Sequence, residues 1–267
     1  LFLGLISAFN FSQNTRFVYQ VSMKTDSTAA PKIENAYLDI STEKSIFYGE
    51  KRMKRDSTIR QAMETRNFNF DRNSMEQFRT AITYSIEKNH ATKTISYKDR
   101  IARDQYWYDE DRTFNWKILP ETVKIGEYET QKAETTFAGR KWFAWFTQDL
   151  PFIDGPYKFS GLPGLIVKVE DEKGDYSFDL KETKKIAELP NFESRFGNNI
   201  KVKRSEFLKQ QEKFNKDPMS FFQNQGGGFA MRMGGNQNPQ NEAERRKMME
   251  ERLKEEAKAN NNPLEKN

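Results

Sequence analysis

The chain has 267 residues and no cysteine, so it uses no disulfide and has neither a thiolate metal site nor a cysteine nucleophile. Its 44 basic and 39 acidic residues leave a net charge of +5, a mixed surface that permits an anionic partner without requiring one; no Lys/Arg run is interleaved with aromatics as a nucleic-acid groove needs. Mean hydropathy is only −0.93, yet 22 Phe, 10 Tyr and 4 Trp build a core from few large side chains, which assigns the polar excess to tails and insertions.

The chain opens LFLGLISAFNFSQ. This apolar stretch is too short to span a bilayer and reads as the end of a secretory signal over residues 1–12, cut between Ser12 and Gln13. A buried N-terminal strand is the alternative. From Arg16 the pattern has period two, with Phe17, Tyr19, Val21 and Met23 on one face. Ala36, Leu38 and Ile40 repeat it, and SIFYGE (45–50) returns as a short strand. Residues 50–78 are charge-rich and read as an insertion with some helix, its KRMKR stretch a solvated face.

Alternation resumes at Ile82, Tyr84 and Ile86, turns through EKNHAT, and continues at Ile95 and Tyr97. DQYWYDEDRTFNWKIL predicts two strands around an acidic hairpin turn at Asp109, Glu110 and Asp111. KIGEY turns at Gly126, and TFAGRKW predicts a hairpin closed by Ala138-Gly139. Trp142, Phe143, Trp145 and Phe146 load both faces of a covered strand. Leu165, Val167 and Val169 face one way, and Tyr176, Phe178 and Leu180 return after a turn at Gly174.

Beyond Lys201 a short helix is predicted, capped by Ser205, with Phe207, Leu208 and Phe214 near one stripe. Residues 218–240 are Gly/Gln/Asn-rich and expected to be disordered. Residues 241–267 form a charged helical tail with i,i+4 pairs Glu242/Arg246 and Glu250/Lys254. The fold expected is mainly β (α+β): one domain over 13–217, a curved antiparallel sheet or half-barrel of about ten strands with a short helical C-terminal segment.

Few residues carry chemistry. The single histidine, His90, sits in a turn and cannot by itself build a His-based metal site or triad. Neither acidic cluster, 109–111 or 170–172, has calcium-loop spacing. No metal or other cofactor is expected. The most unusual stretch is PFIDGPYKFSGLPG, residues 151–164. Leu162-Pro163-Gly164-Leu165 fits a type II turn, and Asp154-Gly155-Pro156 makes a second bend. Each proline removes an amide that a phosphate cradle would need. The stretch therefore either closes a β-core or offers an aromatic ligand or partner surface, with Phe152, Asp154, Tyr157, Phe159, Leu162 and Pro163 as candidates beside Arg140 and Trp142.

GPYKFSGLPGLIVKVED resembles the signature of the GLPGLI family, exported proteins typical of Bacteroidota with no assigned activity. The run WKILPETVKIGEYETQKAETTFAGRKWFAWFTQDLPFIDGP and the later KDPM are also similar to it. The resemblance is specific over about 114–182 and looser over 14–113. Where many relatives carry Cys this chain has Thr130, so no redox role is carried over. The resemblance implies a signal peptide cut before Gln13 and a periplasmic or outer-membrane location. It also implies accessory work with an outer-membrane complex such as a TonB-dependent receptor. Three functions are weighed on this basis. The leading one is a non-enzymatic envelope binding or accessory protein that engages no nucleic acid. The second is a carrier of a lipid or other apolar ligand in a half-barrel, like Lol-type carriers in shape, with a cavity lined by Trp116, Trp142 and Phe178. The third is an enzyme drawing on Arg140, Asp154 and Tyr157.

Overall fold

The computed structural model describes residues 14–67, 77–192, 197–218, 220–221 and 239–266. The expected signal at 1–12 and most of the expected linker at 218–240 lie outside them. The described strands are β1 (Asn14–Met23), β2 (Lys32–Ile40), β3 (Lys44–Gly49), β4 (Ser85–Asn89), β5 (Ile95–Ile101), β6 (Asp104–Asp109), β7 (Lys117–Ile125), β8 (Tyr128–Phe137), β9 (Arg140–Thr147), β10 (Leu165–Asp171), β11 (Tyr176–Ile186) and β12 (Asn199–Lys201). The helices are α1 (Glu50–Thr65), α2 (Arg204–Lys216) and α3 (Pro239–Lys258).

All twelve strands join one sheet, ordered β12-β6-β5-β4-β3-β2-β1-β11-β10-β9-β8-β7. It is antiparallel except for the short β12, which runs parallel to β6. The chain meanders outward from β1 to β6, crosses to the far edge at β7, and meanders inward until β11 pairs with β1. That crossing sets the sheet's shape. The step from Asp109 to Lys117 reaches at most about 29 Å when fully extended. Ten strand spacings laid flat would separate β6 from β7 by about 48 Å. The sheet must therefore curve. Segment 110–116 runs along its inner side, with Phe114 against Phe137 at 4.3 Å and Phe159 at 5.5 Å.

The inner face is the core. Phe17, Tyr19, Val21 and Met23 of β1 are all buried, as period two requires, and meet Ala36, Leu38, Phe47, Trp142, Phe146, Val169 and Phe178 in one cluster. Ala138 and Gly139, both at positive φ, close the β8–β9 hairpin. Gly126 and Gly174 turn the chain where the sequence places turns. The edge strand β7 carries Pro120 in the break of register between Ile118 and Thr122, where a missing amide is tolerated.

Several expectations need correction. Asp109–Asp111 is not a hairpin turn, because β6 and β7 lie at opposite ends of the sheet. The 50–65 stretch is one continuous helix, and Arg52 within KRMKR is buried, 4.7 Å over the Phe192 ring. Helix α2 begins at Arg204, with Lys203 at its N-cap, so Ser205 is not the cap; Phe207 is the buried anchor, against Tyr97 and Tyr108. In α3 the Glu250–Lys254 pair forms at 2.6 Å, whereas Glu242 and Arg246 lie outside the described side chains. The tail does not end as a free helix. Residues 261–266 return to the sheet, where Asn262 is buried and Leu264 packs on the core.

Candidate functional site

The loop 148–164 between β9 and β10 folds over one end of the inner face, and two buried lysines fix it. Lys88 is on β4 in register with Ser45 of β3. Its ammonium donates to Asp154 Oδ1 at 2.5 Å, Gly155 O at 2.6 Å and Phe159 O at 2.9 Å. All three donors of the ammonium are thus used on the loop. Burial makes Lys88 less basic than an ordinary lysine, against the pull of Asp154. Burial pushes the Asp154 carboxyl up, but Lys88 and His90 outweigh it and hold the group below the usual carboxylate range. Three acceptors around Nζ call for three N–H donors, so the geometry is that of an ammonium–carboxylate pair. On the other side of the loop, Lys158 donates to Glu110 at 2.6 Å, Glu265 at 2.5 Å and Tyr108 Oη at 3.0 Å.

Local backbone chemistry makes this path unique. Gly164 sits at φ +145°, and a Cβ there would lie 2.0 Å from Thr147 O. The turn around Pro163 is closed by Gly164 N–H to Leu162 O, an i to i+2 bond rather than the i to i+3 bond of a type II turn. Tyr157 takes φ +53°, a costly conformation for an aromatic residue. Its ring enters the core and its hydroxyl donates to Glu265 at 2.6 Å.

The eight sequence candidates are divided by burial. Arg140, Trp142, Asp154, Tyr157, Phe159 and Leu162 are buried, Phe152 is half-buried, and Pro163 is exposed. Phe159 fills the space among the three residues proposed to line a half-barrel cavity. It lies 4.8 Å from Trp142 and 6.2 Å from both Trp116 and Phe178. That region is solid core. Nor do Arg140, Asp154 and Tyr157 converge: Arg140 pairs with Asp171 at 2.7 Å, Asp154 with Lys88, and Tyr157 with Glu265.

The open space lies next to the Lys88–Asp154 pair. A cleft of about 590 Å³ is bounded by the β2–β3 turn (Ile40, Ser41, Thr42), the β4–β5 turn (Asn89, His90, Lys93, Ile95) and the loop (Pro151, Phe152, Ile153, Asp154, Ser160). Most of its wall surface is apolar, with Ile40, Ile95, Pro151, Phe152 and Ile153 set among polar residues, and Ile153 is 67% exposed. His90 spans the rim. Its Nδ1 is 3.2 Å from Thr42 O and its Nε2 is 3.8 Å from Asp154 Oδ2. The nearby Asp154 carboxylate raises its pKa, against the opposing effect of burial. Exposed Lys93 adds a cation at the same rim. Among the described residues no three His, Cys, Asp or Glu side chains are grouped to hold a metal ion, and no helix is long and apolar enough to cross a membrane.

Sequence reasoning set His90 aside as a turn residue and passed over Lys88 and Ile153. A signal for Lys88 was present: it follows Ile82, Tyr84 and Ile86 at the next inward position, where a lysine needs a buried partner.

A family model described as "Protein of unknown function (Porph_ging)" matches residues 135–168, the stretch from the end of β8 through the loop into β10. No curated protein matches the chain. Among solved structures it is similar to PNGF-II in two crystal forms, at 18% and 17% identity and a TM-score of 0.54 in each. The match covers 74% of this chain, which spans only about a third of the length of PNGF-II (33% and 32%). The LolA superfamily protein NE2245 from Nitrosomonas europaea is matched at 10% identity and a TM-score of 0.28, over 67% of this chain and 88% of that one. The likeness to PNGF-II is one of fold.

Proposed function

We propose that the protein is an exported binding protein of the cell envelope. Its cleft beside Lys88 and Asp154 takes an amphiphilic ligand with an apolar body and an anionic head. The cleft carries this reading. Its volume of about 590 Å³ falls among small-molecule sites, with apolar walls at Ile40, Ile95, Phe152 and Ile153 and the basic side chains of His90 and Lys93 at one rim. Asp154 is neutralised by Lys88, so it does not repel an anion as a free carboxylate would. Resemblance of the Gly-Pro-Tyr-Lys-Phe-Ser-Gly-Leu-Pro-Gly loop to the GLPGLI family supports export, and accessory work beside an outer-membrane receptor of the TonB-dependent kind.

The test uses cis-parinaric acid as the fluorescent probe, titrated into the full chain. Saturable binding is expected. Ile153→Asp, at an exposed position, should weaken it at least tenfold. His90→Gln should weaken the acid more than the corresponding alcohol. Binding that ignores both substitutions, or no binding at all, would overturn the proposal.

A further inference from the structure

The last described residues do more than pack. Arg140 Nε donates to Leu264 O at 3.0 Å, and its Nη2 to Asn262 Oδ1 at 2.6 Å and Pro263 O at 2.8 Å. Tyr176 Oη donates to Asn262 O at 2.5 Å. Backbone bonds run from Asn262 N to Thr25 O and from Lys266 N to Ala138 O, both 2.8 Å. Glu265 then enters a cationic basket. Lys158 and Tyr157 donate to its Oε1, while Arg112 at 2.8 Å and Arg204 at 3.1 Å donate to its Oε2. Gly139 clears the path, since a Cβ there would lie 2.8 Å from Lys266 Cβ.

We propose that this groove is an exchangeable peptide site for an apolar residue followed by a carboxylate, filled in this chain by its own Asn-Pro-Leu-Glu. Two features support exchange. The groove is built without the tail: Arg140 is also held by Asp171, Arg112 by a two-pronged pair to Glu110 at 2.7 Å, and Lys158 by Glu110. A preformed receptor of this kind loses little order when its peptide leaves. The basket also has a charge mismatch: among the described residues, Glu110 is the one carboxylate besides Glu265 that pairs with both Lys158 and Arg112, so the emptied site attracts another carboxylate.

The test uses the full chain carrying Leu264→Ala and Glu265→Ala, with a fluorescein-labelled Asn-Asn-Pro-Leu-Glu-Lys peptide. Saturable binding is expected, weakened at least tenfold when the peptide's Glu is replaced by Gln. The unsubstituted chain should bind at least 100-fold more weakly, because its own segment competes at an effective concentration on the order of millimolar. A folded variant that binds no peptide overturns the proposal, as does binding indifferent to Glu→Gln. Should the variant fail to fold, hydrogen exchange on the unsubstituted chain decides. The Asn262 and Lys266 amides should exchange at least 100-fold faster than those of β9 and β10. Exchange only at the rate of global unfolding overturns it.

Discussion

Lys88→Met removes one charge and three hydrogen bonds from the end of the sheet while keeping most of the side-chain volume. Both members of the Lys88–Asp154 pair are about 95% buried, at 6% and 5% side-chain exposure. Without the ammonium, Asp154 keeps the Gly155 N–H at 2.7 Å and the more distant His90, while the carbonyls of Gly155 and Phe159 lose the bonds Lys88 gave them. Removing one partner of a buried pair costs about 3–5 kcal/mol, and the stranded carbonyls place this case toward the upper end. For a domain of this size that is a fall in Tm of roughly 10–15 °C. Guanidinium unfolding followed by far-UV circular dichroism measures it, with the slope of the transition checked for change. The double variant Lys88→Met/Asp154→Leu removes both charges. It should cost less than the sum of the single changes by about 2 kcal/mol or more. A single-variant cost under about 1 kcal/mol, or strictly additive singles, would refute the claim that this pair holds the loop.

Two further outcomes follow from the same loop and its contacts. Gly164→Ala should destabilise by on the order of 4 kcal/mol, because the new Cβ meets backbone at 2.0 Å. Gly161→Ala, with φ +92° and nothing within 4 Å, should cost only about 1–2 kcal/mol; equal losses by urea titration would show that backbone clash at Gly164 does not set the turn. Glu265 governs acid stability. Burial alone would raise its carboxyl, but Lys158, Tyr157 and Arg112 hold it at about 2, below its ordinary 4.5. Its contribution is therefore fully present above pH 4.5 and is lost as pH falls toward 2. The difference amounts to about 3 kcal/mol. Stability measured from pH 2 to 6 should fall more steeply for the natural chain than for Glu265→Gln, and parallel curves would contradict the assignment.

Much of the sheet was legible in the sequence because local alternation and turn chemistry specify it. Phe17 to Met23, the Ala138-Gly139 hairpin and the Gly174 turn all obey rules that act within a few residues. What was not legible depends on distant partners. Asp109-Glu110-Asp111 has the composition of a surface turn, yet Glu110 is buried because the chain crosses the concave side there and meets Lys158. Asn262 to Glu265 carry no periodicity, and their place is set by Arg140, Tyr176 and Lys158, residues that themselves read as strand and loop. The cleft was missed for a related reason. Its walls come from three separate connections, and only the loop 151–164 stood out by composition.

The pairing of β1 with β11 also has a temporal meaning. The register from Asn14–Ile186 to Met23–Tyr176 joins the first described strand to the last long one. During synthesis β1 can find β2 at once, but its other flank waits for nearly the whole domain to emerge. Long-range closure of this kind makes folding slow, and it leaves an apolar strand flank open to wrong pairing meanwhile. The sheet's centre, its best-covered part once complete, is thus its most vulnerable part while the chain is being made.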